Sequence, residues 1–160
     1  MNKLFTDIQE VLKNRGCLVG MGNYLKSDDA VGLYIAESVK KAVNGSFPVM
    51  NVEDVIEAYV FKISEMDCDN IVVVDAVKAG AETGSILFGK LEEDFEELNG
   101  VLSTHKLALK MSGKILKDHG KETYLLGVVV DNVDFGSSLS PAVRESADAL
   151  IEIIKDALKR

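Results

Sequence analysis

Two aspartates and one histidine stand where this chain could do chemistry. Asp29 sits near the end of the run Gly20-Met21-Gly22-Asn23-Tyr24-Leu25-Lys26-Ser27-Asp28-Asp29-Ala30-Val31-Gly32. Asp75 closes the apolar run Ile71-Val72-Val73-Val74, and His105 ends Ser103-Thr104-His105. Each falls where a strand is expected to give way to a helix. Ligands of open α/β sheets bind beyond the carboxyl ends of the strands, so the three are expected to face one crevice. Two carboxylates and an imidazole suit nickel, zinc, manganese or iron. Taken singly, each residue has a plainer role. Asp28 and Asp29 favour a helix N-terminus, where the dipole stabilises negative charge. Asp75 suits a turn, and His105 suits a surface position. Their joint placement raises the metal reading, and no second cluster of histidine, cysteine and acid competes with it. An aspartic dyad of Asp29 and Asp75 alone would leave His105 without a role.

The glycines of the first run have a rival reading. Gly20-x-Gly22 after a strand is the start of a dinucleotide-binding fingerprint. The third small residue is missing, because position 25 is Leu25, and Asp28 and Asp29 would repel a pyrophosphate. No nucleotide cofactor is therefore expected. The glycines instead permit a tight turn with close backbone approach, and Asn23 tolerates left-handed geometry there. No G-x-S-x-G nucleophile turn is present.

The elements that must position these residues can be read in order. Phe5, Ile8, Val11 and Leu12 recur at helical spacing. Cys17 to Gly20 reads as a buried strand. A helix follows, capped by Ser27 or Asp28 and stopped at Asn44-Gly45. Pro48 to Val52 reads as a strand, and Ile56 to Met66 as a weak helix. Ile71 to Asp75 is a continuous β-branched run, as expected of a central parallel strand covered on both faces. Gly84 to Gly89 is a further strand, and Glu92 to Glu97 a solvated loop or short helix. A helix is expected over Lys106 to Lys117 with Ser103 or Thr104 as cap, and a strand over Thr123 to Val130. The last helix opens at Ser140-Pro141. Alternating strands and helices imply an α/β domain with a mostly parallel sheet. Residues 1–160 are read as one such domain.

Composition narrows the partners. The 18 basic and 26 acidic residues give a formal net charge of −8, which disfavours nucleic acid or an anionic membrane as partner. It suits a cation or a basic peptide. No apolar run approaches a membrane span. The first residues, MNKLFTDIQEVLKNRG, carry charge throughout and lack an export signal's apolar core. Cys17 and Cys68 lack C-x-x-C spacing and are read as buried small hydrophobes in a reducing, cytoplasmic compartment.

Four stretches, in this order, resemble one family. GMGNYLKSDDAVG resembles the opening motif of the nickel-iron hydrogenase maturation endopeptidases, G-x-G-N-x-x-x-x-D-(D or E)-x-x-G. VVVDAV resembles their second motif, STHKLAL their third, (S or T)-x-H-x-x-x-L, and FGSSLSP a distal one. The resemblance runs from about Gly16 to the end, with residues 1–15 as an extra amino-terminal helix. It implies a doubly wound, five-stranded α/β fold with helices on both faces. It implies removal of a C-terminal extension from a hydrogenase large-subunit precursor after nickel insertion. By position it makes Asp29, Asp75 and His105 the catalytic and metal-contacting residues, with nickel arriving in the substrate. It makes Asn23 and Asp54 substrate contacts. One departure is plain: where relatives carry a D-G-G-T-like stretch, this chain reads Glu53-Asp54-Val55-Ile56-Glu57. That departure leaves a second expectation open, a non-proteolytic assembly factor that binds the large subunit through the same residues.

Overall fold

The computed structural model describes residues 2–91, 102–103, 105–131 and 133–159. Its strands are β1 (Gly16–Met21), β2 (Val49–Glu53), β3 (Asn70–Lys78), β4 (Ile86–Lys90), the two-residue β5 (Leu102–Ser103) and β6 (Glu122–Val129). The main sheet runs β2-β1-β3-β6-β4, with β5 pairing to the end of β3. The first four of that order are mutually parallel; β4 and β5 are antiparallel to their neighbours. The expected α/β architecture with a five-stranded, mostly parallel sheet is therefore what forms.

Helices cover both faces. They are α1 (Lys3–Lys13), α2 (Val31–Val43), α3 (Val60–Ser64), α4 (Lys106–Asp118) and α5 (Pro141–Ala157). Side chains alternate across a strand, and β3 shows what this does. Val72, Val74 and Ala76 enter one core with Ile8, Leu12, Ile35, Val39, Leu150 and Ile154, residues of α1, α2 and α5. Ile71, Val73 and Val77 enter a second core with Val60, Ile63, Leu109 and Leu116, residues of α3 and α4. Both faces of β3 are thus dry, which explains its unbroken apolar run. The amino-terminal helix packs on this same body: Ile8 and Leu12 are buried, and Gln9 donates to the Ile153 carbonyl at 2.9 Å.

Several local expectations change. β3 continues to Lys78, so Asp75 lies inside the strand and not at its end. Pairing with β6 through Val77 and with β5 at Val77 and Lys78 carries it on. Ser27 and Asp28 do not cap α2. They belong to a single 3-10 turn, Ser27–Ala30, and α2 begins at Val31. The weak helix of 56–66 is a 3-10 turn, Ile56–Ala58, followed by the short α3. The cap of α4 is His105 itself; Ser103 lies in β5, and Thr104 is outside the described residues. The acidic stretch Glu92 to Glu97 also lies outside them. Among the described residues no helix is long and apolar enough to cross a membrane.

The order of the strands fixes where a site can form. From β1 the chain turns through α2 to β2 on one side, then returns through α3 to β3 on the other. The loops after β1 and β3 therefore diverge, and the crevice of a doubly wound sheet opens between them.

Candidate active site

Asp75 points into that crevice because of strand parity. It sits between Val73 and Val77, which face the α3 and α4 layer, and its register partner on β6 is Gly127, which has no side chain to fill the space. Its carboxylate is completely buried. Oδ1 accepts from the Ala76 N–H at 2.9 Å, and Oδ2 lies 3.2 Å from Nδ1 of His105. His105 starts α4, and its side chain is 14% exposed. Its pKa is raised, first by the hydrogen bond to Asp75; burial opposes this, while the charges of Asp75, Asp29 and Asp54 add to it. The imidazolium is the form this setting favours.

Asp29 arrives from the other side of the crevice. The turn that carries it folds tightly over Gly22, whose φ is +147°; a Cβ there would lie 2.1 Å from the Asp29 carbonyl oxygen. That close approach is why the motif needs glycine. Asn23 does not take up the left-handed geometry expected of it. Its carboxamide oxygen accepts from the Leu25 N–H at 2.9 Å, closing an Asx turn, and Ser27 takes the positive φ instead. Asp29 is 6% exposed, and its Oδ1 is buried without a hydrogen-bond partner. Its pKa is pushed up to about 6, mainly by burial, then by the Asp75 charge; His105 and Lys26 oppose this, and Asp54 adds to it. Asp54, exposed beyond β2, is thus near enough to act electrostatically on both Asp29 and His105.

This gives a signed stability prediction. The folded pKa of Asp29 lies above its ordinary 3.8, so ionisation works against folding once pH exceeds that value, and fully above about 6. Asp29→Asn should therefore stabilise the protein at pH 8 by about 1–3 kcal/mol. The gain should fade as pH drops towards 4. Urea unfolding at both pH values checks it; equal stability of the two proteins at pH 8 would contradict the electrostatic account.

Asp28, the other member of the pair, has a structural task. It is fully buried and receives the Ser140 N–H at 2.6 Å and the Ser140 hydroxyl at 2.8 Å. Ser140 stands at the start of α5 as expected, with Pro141 next, but its hydroxyl turns to Asp28 and caps nothing in its own helix. Ser27 adds to this clasp: its N–H donates to the Gly136 carbonyl at 2.9 Å, and its hydroxyl to the Asp134 carbonyl at 2.9 Å. The carboxylate of Asp28 thus ties the loop that carries Asp29 to the loop before α5, a role the sequence did not reveal. Asp28→Ala removes two bonds to a fully buried carboxylate and leaves a partly buried N–H unpaired, so it should cost about 2–3 kcal/mol. A loss below about 0.5 kcal/mol in chemical denaturation would show the clasp to be dispensable.

Asp29, Asp75, His105 and Asp54 are thus electrostatic neighbours, while Asn23 supports the loop. Among the described residues no group of three His, Cys, Asp or Glu side chains is arranged to hold a metal ion. A cation here would need donors from another molecule, and the unpartnered Asp29 oxygen is the buried group that would meet it. The departure from the motif after β2 also has a conformational side. Glu53 has φ +51°, a region that favours glycine, and its carbonyl accepts from the Gly22 N–H at 2.9 Å. The sequence signal was the missing glycine at this point.

The family model of hydrogenase maturation proteases matches residues 33–157. The chain belongs to that family. The hydrogenase maturation protease HycI of Thermococcus kodakarensis KOD1 shares the fold with a TM-score of 0.84 and 28% identity, covering 96% of this chain and 99% of that one. The Escherichia coli K12 hydrogenase 3 maturation protease is 24% identical over 135 residues, covering 84% of this chain and 85% of its own. The Thermococcus kodakarensis hydrogenase maturation protease HybD has a TM-score of 0.72 at 24% identity and supports the fold. The matched segment begins after the first motif, so in this maturation protease the position of Asp29 rests on the geometry just described.

Proposed function

We propose that this maturation protease is a nickel-dependent endopeptidase that removes the C-terminal extension of a nickel-iron hydrogenase large-subunit precursor. The observation that carries the reading is the buried, unpartnered oxygen of Asp29 beside the Asp75–His105 pair. Such an oxygen is costly to bury unless something comes to it. The nickel is substrate cargo: it arrives held by the precursor, whose own ligands complete the incomplete donor set. Asp75 holds the imidazole of His105 in orientation. Asp29, its carboxyl pKa pushed up to about 6 by burial, is suited to take the proton of a water attacking the scissile carbonyl. The other route is direct polarisation of that carbonyl or water by the docked cation.

The mouth of the crevice suits a protein substrate. Tyr24 and Leu25 after β1, Val55 after β2 and Phe135 after β6 are exposed, Phe135 by 83%. Large apolar side chains on several loops at one sheet end suit docking of a polypeptide rather than a small ion alone. The reading places the reaction in the cytoplasm, without nucleotide.

The test is an intact-mass assay. Large-subunit precursors with and without nickel are incubated with the wild-type chain and with Asp29→Ala. Loss of a C-terminal peptide only from the nickel-loaded precursor, and only with Asp29 intact, is expected. Tight binding without any loss of mass would support the assembly-factor reading and point to the Glu53–Glu57 stretch as its cause.

A further inference from the structure

Cys17 and Cys68 lie at the opposite end of the strands from Asp75, Cys17 near the start of β1 and Cys68 two residues before β3. Cys17 is completely buried and Cys68 nearly so. Their sulfurs are 3.1 Å apart, in hydrogen-bond contact, although 51 positions separate them in sequence. Lys121, one residue before β6, is also buried. Its ammonium donates to the carbonyls of Met66, at 2.7 Å, and of Cys68, and stands 3.9 Å from the Cys68 sulfur. A buried ammonium held by carbonyls and a thiol, with no carboxylate in that set, is costly unless a negative charge can form beside it. The Cys68 sulfur is the group placed to carry that charge. Its pKa is lowered, first by the Cys17 hydrogen bond and further by Lys121, against the effect of burial, while that of Cys17 is raised. Two thiols in contact with unequal acidity and a fixed cation are the arrangement of a nucleophilic sulfur and its resolving partner.

We propose that Cys17 and Cys68 form a modification site, a dithiol that a small oxidant of the peroxide class converts to an intramolecular disulfide, with Lys121 supporting the Cys68 thiolate. The Cys68 thiolate attacks one peroxide oxygen and the O–O bond breaks. The departing hydroxide takes a proton from the Lys121 ammonium and leaves as water, Cys68 becomes a sulfenic acid, and Lys121 recovers from solvent the proton that the Cys68 thiol released there on forming its thiolate. The Cys17 sulfur then attacks the Cys68 sulfur. The S–O bond breaks, and the Cys17 proton leaves with the hydroxyl as a second water. The two thiols lose two electrons and two protons, and the peroxide is reduced to two waters. The sulfurs must close by about 1 Å to reach bonding distance. Solvent lies one residue along the chain: Asp67, next to Cys68, has a side chain 92% exposed and pairs with Arg15, which also pairs with Asp69, at 2.8 and 2.9 Å. The site does not rest on the proposed peptidase activity.

The experiment uses the full chain, treated with hydrogen peroxide, then denatured and alkylated with iodoacetamide. The expected result is a protein lighter by two hydrogens, with no alkylation at either cysteine and a Cys17–Cys68 linked peptide in the digest. Its Tm should rise by several degrees, because the bond constrains the unfolded chain. Lys121→Met should slow the reaction about tenfold. Cys17→Ala should stop at a Cys68 sulfenic acid that dimedone traps. Cysteines that remain fully alkylatable in the wild type, or Cys68 advancing to sulfinic acid while Cys17 stays free, would overturn the proposal. Failure of dimedone to label Cys17→Ala would overturn the assigned order of attack.

Discussion

His105→Ala is expected to abolish precursor processing and to weaken the fold at the same time. From sequence, a histidine in a first helical turn is a surface group whose loss should leave stability unchanged. The structure replaces that expectation. The side chain is 14% exposed, and its Nδ1 meets the carboxylate of a fully buried Asp75. Removing one partner of a buried charged pair leaves the other without compensation, which commonly costs 3–5 kcal/mol. Ala76 still donates to Asp75 after the change, so about 2–4 kcal/mol is the expected loss. Activity should fall by a factor of about 10³ or more, since an oriented acid or base contributes on that scale.

The same pair sets a pH dependence with a definite sign. The folded pKa of His105 is raised, so the stability it contributes is fully present below its ordinary value of 6.5 and is lost as pH rises through the folded value. The stability gap between wild type and His105→Ala should therefore be widest in mildly acidic solution and narrow towards pH 9. Urea unfolding across that range measures it. His105→Gln separates structure from chemistry, because its amide can still donate to Asp75: it should recover part of the stability and none of the processing. Normal processing by either variant would remove His105 from the site.

What was legible in the sequence was whatever depends on local pattern. β3 announced itself through Ile71 to Val74, and α5 through Ser140-Pro141, because burial on two faces and a proline at a first helical position leave marks within a few residues. Asp29, Asp75 and His105 read as strand-to-helix residues, and the structure makes them electrostatic neighbours, although Asp75 lies inside its strand. What escaped depends on contacts between distant positions. Asp28 looked like a helix cap because its partner, Ser140, is 112 positions away. The cysteines looked inert because nothing in their neighbouring residues shows that Cys17, Cys68 and Lys121 converge from three segments. The two-residue β5 has no period to detect. Positive φ at Ser27 was likewise hidden, since serine does not signal it.

The last glycine of the first motif supplies the second large effect. Gly32 lies in the first turn of α2, and an added Cβ would stand 2.3 Å from the carbonyl oxygens of both Met21 and Val74. The helix start is therefore pressed onto the end of β1 and the middle of β3, the two strands between which the crevice opens. Two opposing tendencies act on Gly32→Ala. Alanine favours a helix interior over glycine by about 1 kcal/mol. The clash involves two backbone oxygens that no side-chain rotation relieves, and such overpacking costs about 3 kcal/mol or more. The clash should win, for a net loss of at least about 2 kcal/mol. It should also shift α2 together with the Asp29 turn, so that processing falls even in molecules that remain folded. Gly45→Ala is the control. That glycine has φ +86° with nothing near its Cβ position, so it should cost about 1 kcal/mol from backbone strain and leave processing unchanged. Chemical denaturation of both variants, read beside the precursor mass assay, tests the pair. A Gly32→Ala protein as stable and as active as wild type would show that α2 is not seated on β1 and β3.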